Sequence, residues 1–195
     1  MAEEKVKQVI STKSLTLIGL MTAVCCVLGP ISVPIGAVPV SLGVLAILLT
    51  VYVLGTFKGT VATLVYILLG TVGLPVFTGY QGGLQKVSGP TGGYIIGYIF
   101  LAMIAGAFID RFSYKKCYMH VVGMVLGLAV CYLFGTIWFM FVTKMNFLAA
   151  LGVCVAPFLL FDALKIAFCF TMGIGIRKAL TAAHLVNYYD NTKSN

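Results

Sequence analysis

Six long apolar runs, separated by short segments rich in charge, Pro or Gly, dominate this chain: residues 14–29, 40–57, 59–74, 93–112, 117–142 and 147–176. Chain that apolar has few places to go but lipid, because a helix needs about 20 apolar residues to cross a bilayer. The whole composition agrees: 61% of the 195 residues are hydrophobic and 9% are charged, against about 25% charged in an average soluble domain. The sequence therefore predicts an all-α integral membrane protein, a six-transmembrane-helix bundle forming a single membrane domain over residues 1–195. No length remains for a separate soluble catalytic domain. Hydrophobicity excludes disorder, and the lack of a Gly period excludes collagen. The six Cys are scattered through apolar runs, which fits a disulfide scaffold poorly. The third run is short: 16 residues rise about 24 Å, less than the roughly 30 Å hydrocarbon core. A short helix followed by a Gly-rich stretch often marks backbone that dips into the protein at membrane depth.

The formal charge is +8. In a soluble protein that would suggest nucleic acid, but here the basic residues cluster between the apolar runs, as membrane-flanking anchors do. Six spans put both termini on one side, with Lys5, Lys7, Lys13, Lys58, Arg111, Lys115, Lys116, Arg177, Lys178 and Lys193. The opposite side holds Lys86 and Lys144, and Lys165 lies within a span. By the positive-inside rule both termini are cytoplasmic. The first apolar run follows Lys5, Lys7 and Lys13 like a signal peptide. No convincing small-residue cleavage site comes after it, so it is expected to stay as the first helix. Trp138, Tyr188 and Tyr189 are expected as interface anchors. The six spans show no internal repeat, which argues against a carrier built from two matching halves.

Asp162 and Lys165 are the only charged residues well inside a span. Each costs at least about 2.5–3.5 kcal/mol there. Their i, i+3 spacing puts them on one helix face within pairing distance. They form either an ion pair that merely neutralises itself or a polar ligand site facing the bundle interior. A buried pair is seldom more stabilising than apolar residues of the same volume, which favours the ligand site. A carboxylate accepts from N–H donors, and an ammonium donates to a carbonyl or carboxylate.

The segment 75–92, between the third and fourth spans, is expected on the outer face as a ligand-capping loop. Six Gly between positions 79 and 93 permit tight turns and close approach. Phe77, Tyr80 and Tyr94 offer an apolar stacking wall, and Gln81, Lys86 and Thr91 offer polar contacts. A plain connector needs neither this length nor this Gly density. Gly19 and Ala23, four apart in the first span, suit close helix approach, either inside the bundle or against a second membrane protein. Other chemistries lack their residues. There is no G-x-x-x-x-G-K-[ST] phosphate loop, no C-x-x-C and no G-x-S-x-G elbow. His120 and His184 stand apart without metal-ligand company. Neither Asp162 nor Lys165 has an evident Ser, Cys or His partner for hydrolysis.

Gly73-Leu74-Pro75-Val76-Phe77, then Gly82-Gly83, then Gly89-Pro90-Thr91-Gly92-Gly93-Tyr94 resembles the central loop of the BioY family. That family comprises the biotin-specific substrate-capture subunits (S components) of energy-coupling-factor (ECF) transporters. The likeness extends to size, six spans and an Asp-x-x-Lys in the last span, here Asp162 and Lys165. It also implies a small-x-x-x-small docking face on the first helix for a transmembrane coupling protein, at Gly19 and Ala23, with Gly at the first position where Ala is usual. Val38-Pro39-Val40-Ser41-Leu42-Gly43 is similar to a family segment that often has Gln near its end; Gly43 supplies no such side chain.

The resemblance implies high-affinity biotin binding and uptake across the bacterial cell membrane, not enzyme activity, and no cofactor of the chain's own. ATP would be used only by two cytoplasmic ATPase partners working through the coupling protein. Asp162 suits a ureido N–H and Lys165 the ureido carbonyl or the carboxylate. Gln81 or Lys86 suits the remaining polar end, and Tyr80, Tyr94 and Tyr52 suit the bicyclic ring. The rival readings are an S component for another small vitamin, an intramembrane enzyme using Asp162 as acid or base, and a purely structural subunit.

Overall fold

The computed structural model describes residues 12–34, 39–112 and 117–183. Lys5, Lys7, Lys115, Lys116, Lys193, His184, Tyr188 and Tyr189 lie outside the described residues. The described chain is mostly helical: α1 (Thr12–Leu28), a two-residue hairpin of β1 (Ser32–Val33) and β2 (Val40–Ser41), then α2 (Gly43–Leu54), α3 (Thr56–Val72), α4 (Leu84–Ser88), α5 (Gly92–Arg111), α6 (Tyr118–Thr143), α7 (Phe147–Cys154) and α8 (Ala156–Ala182). Among the described residues, three helices are long and apolar enough to cross a membrane: Gly92–Arg111, Tyr118–Thr143 and Pro157–Ala182. Helices α1, α2 and α3 are apolar but shorter, at 17, 12 and 17 residues.

Burial explains the arrangement. Helix α2 is apolar all round and is enclosed, with Ala46, Ile47, Leu48, Val51 and Tyr52 fully buried, as expected of a helix without a polar face. Helices α5 and α6 pack along a seam of small residues. A Cβ on Gly97 would stand 2.9 Å from Cys131 Sγ, and one on Gly127 would stand 3.0 Å from the Leu101 carbonyl. The outward faces stay greasy: Leu15, Leu68, Phe141 and Leu160 are all exposed, a surface suited to lipid.

The elements depart from the expected spans in two places. The run 40–57 begins as a strand, because Val33 pairs Val40 and Ser32 pairs Ser41 in antiparallel register. It ends at Gly55, whose φ of 79° breaks the chain between α2 and α3. The run 147–176 is two helices, broken at Val155. Pro157 has no N–H to continue the α7 ladder and is at home in a first helical turn, so a new helix starts there.

Candidate functional site

Helix α8 carries Asp162 and Lys165 inward. Lys165 Nζ donates to Asp162 Oδ1 at 2.6 Å, and the two side chains are 9% and 2% exposed, Lys165 and Asp162 respectively. The second carboxylate oxygen, Oδ2, accepts from the Tyr132 hydroxyl on α6. The pair is therefore tied to a third group, and it opens on a cavity. Tyr94, Ile95 and Tyr98 of α5, Leu128 and Cys131 of α6, and Phe158 of α8 make its greasy wall, while Ser41, Thr78, Lys86 and Thr91 bring polar groups from the hairpin and the 73–91 loop. About 630 Å³ is free of protein atoms, the open mouth and the solvent beyond it included. An apolar slot with a few convergent polar groups on its wall is the form such sites take.

The loop over the mouth is held in place. Trp138 Nε1 donates to the Gly89 carbonyl at 3.0 Å, and Gly83 N–H donates to the Gly70 carbonyl at 2.7 Å. Gly92 sits so close to the Val87 carbonyl that no side chain fits there, and that contact folds α4 back on the start of α5. Tyr94 follows at once and turns its ring onto Gly135, its hydroxyl 3.5 Å from both Thr136 Oγ1 and the Cys154 carbonyl. Lys86 on α4 donates to Gln81 Oε1 at 2.7 Å. Partial burial lowers the pKa of its ammonium below that of an ordinary lysine.

Of the residues expected from sequence, Asp162, Lys165, Tyr94, Lys86 and Thr91 all line this cavity. Gln81 reaches it only through Lys86 and lines the space outside the mouth. Tyr80 is 68% exposed, with a left-handed φ of 58°, and does not line the cavity. Phe77 packs edge-on against Tyr66 in the core. Tyr52 belongs elsewhere. It stands eight residues beyond Val44, the α2 residue that lines the cavity, about 12 Å along the helix. Its hydroxyl pairs with His120 Nδ1 at 3.1 Å, its ring lies under the Arg177 guanidinium at 5.3 Å, and its carbonyl accepts from Arg177 Nε. Gly19 and Ala23 are exposed on α1, and a Cβ on Gly19 would meet nothing within 4 Å, so they do not pack inside the bundle. Sequence reading passed over Tyr132, Tyr98 and Phe158. The one signal for Tyr132 was a phenol in mid-span, where its O–H needs a partner.

The BioY family model matches residues 2–182. Among curated relatives, "Biotin transporter BioY2" of Lactococcus lactis subsp. cremoris is 34% identical over 178 residues, covering 91% of this chain and 96% of that protein. "Biotin transporter BioY" of Thermotoga maritima is 35% identical, covering 82% of this chain and 93% of its own length. Among solved structures, the S-component for biotin from an ECF-type ABC transporter superposes with a TM-score of 0.79 at 28% identity, over 91% of this chain and 94% of that one.

Proposed function

The chain belongs to the BioY family, and from that premise we propose that it captures biotin as the substrate-binding subunit of an ECF-type transporter. The observation that carries the reading is the Tyr132–Asp162–Lys165 cluster opening on an otherwise apolar cavity. A cyclic urea presents N–H donors beside a carbonyl acceptor. Asp162 accepts the N–H, and Lys165 donates to the carbonyl next to it. Tyr94, Tyr98 and Phe158 give the ring system apolar wall. Asp162 lies six residues into α8, about 9 Å below its outer end, so the five-carbon acid tail points to the mouth, where Lys86 and Thr91 stand. A ligand lacking the paired donor and acceptor leaves buried groups unmatched, at about 1–3 kcal/mol each. Such sites reject near-isosteres strongly.

The test is calorimetric titration of biotin into purified Asp162→Asn and Lys165→Ala variants. Each is expected to bind at least a hundredfold more weakly, with insertion and thermal stability largely kept. Full affinity in both would remove the site assignment. Competition by unlabelled vitamins tests the ligand: biotin failing to displace label would favour another vitamin.

The same reading has six spans with both termini cytoplasmic, in a bacterial cell membrane. It is supported by the Lys and Arg asymmetry. It is also supported by the meeting of Thr56, Asp110 and Arg177 at one end of the bundle, with Trp138 and the 73–91 loop meeting elsewhere. A transmembrane coupling protein docks on the Gly19–Ala23 face of α1, and two cytoplasmic ATPases supply the energy.

A further inference from the structure

The ligand cavity shares its mouth residues with a neighbouring space. Pro39, Lys86 and Thr91 line both it and a second, outer cavity, which is bounded on its other sides by Gln81, Gln85 and Phe139 and by the backbone around Gly89. This outer space is open and measures about 1160 Å³, open water included. Its polar lining is mostly neutral: two side-chain amides, the Thr91 hydroxyl and peptide groups, with Lys86 already bonded to the Gln81 amide. Neutral amides both donate and accept, so they suit a peptide-like chain better than they suit a bare anion.

A biotin seated with its urea at Asp162 brings its carboxyl group to this junction. Among the described residues Pro39, Lys86 and Thr91 stand at this junction and border both spaces, so a substituent on the carboxyl meets the hydrogen-bonding groups of the outer one. From these shared walls we propose that the chain also captures biotin amides, with biotinyl-lysine as the simplest natural chemistry, and that the extension beyond the amide lies in the outer cavity. The proposal rests on the biotin reading above. It widens the ligand class from the free acid to carboxyl-linked conjugates of amino-acid size, the kind released when proteins carrying covalent biotin are broken down to amino acids.

The experiment is displacement of radiolabelled biotin from the purified chain by biotin and by biotinyl-lysine, repeated on Gln85→Trp. That substitution narrows the outer cavity at a residue that does not itself line the inner one. Biotinyl-lysine is expected to displace label within about tenfold of the biotin concentration needed. Gln85→Trp is expected to weaken biotinyl-lysine tenfold or more and leave biotin unchanged. Biotinyl-lysine binding more than a hundredfold below biotin on the unaltered chain would overturn the proposal, as would a Gln85→Trp loss equal for both ligands. Failure of biotin itself to bind would be seen in the first titration, and would remove the parent reading and this one together.

Discussion

An ionised carboxylate has about four acceptor sites, and Asp162 has two of them occupied, one by Lys165 and one by Tyr132. The remaining sites face the cavity, held in one orientation from two helices. On the proposed reading, Tyr132 fixes where the ligand's N–H must arrive. Replacing it by Phe keeps the ring and removes the O–H. Hydrogen bonds to charged groups contribute about 1.5–3 kcal/mol, so Tyr132→Phe is expected to weaken biotin binding roughly tenfold to a hundredfold. Calorimetry reads that loss, and unchanged affinity would show that Lys165 alone orients the carboxylate. Asp162 and Lys165 were legible in the sequence because charge inside an apolar run is too costly to be incidental. Tyr132 was not, because an aromatic residue in mid-span reads equally well as packing. Tyr52 stands away from the cavity for a third reason. A helix pattern gives the inward face of α2 but not the depth along it, and depth separates Tyr52 from the cavity.

At the scale of the element, the 73–91 loop and the top of α5 and α6 act as one piece. Trp138 bonds the Gly89 carbonyl, and its side chain also lies against Gly93. A Cβ at Gly92 would overlap the Val87 carbonyl, so Gly92→Ala must push α4, and with it Lys86, off the mouth. Helix content and insertion are expected to survive, since α4 buries none of its residues, while biotin affinity falls by tenfold or more. Trp138 is the chain's one tryptophan, so its fluorescence reports the same displacement directly; a Gly92→Ala protein with native emission and native affinity would sink this account. The Gly-rich spacing of the loop announced tight turns, and the structure has them. The hairpin and the break at Val155 were less legible. Each lies inside a run that is apolar throughout, and apolarity reveals burial without revealing whether the buried backbone is strand or helix.

The molecule as a whole separates its tasks by place. The residues of the proposed ligand cavity gather around α5, α6 and α8, while α1 contributes none to it. At the far end of α8, Arg177 joins that helix to Tyr52 on α2 and to Asp110 on α5, and Asp110 in turn accepts from Thr56 N–H and Oγ1 at 2.7 Å. A bundle so tied can bind ligand without help from α1, which leaves the exposed Gly19–Ala23 face available for a partner. Small residues four apart let a second helix approach closely, and in lipid that approach supplies much of the association energy. Gly19→Leu adds a large side chain where nothing in the chain stands within 4 Å, so folding has no reason to suffer. It is therefore expected to leave biotin affinity and thermal stability unchanged and to abolish co-purification with the coupling protein and its ATPases. Titration and pull-down on the same preparation separate the two effects. A variant that still brings down the full transporter would move the docking face off α1, and one that loses biotin as well would show that α1 supports the cavity after all.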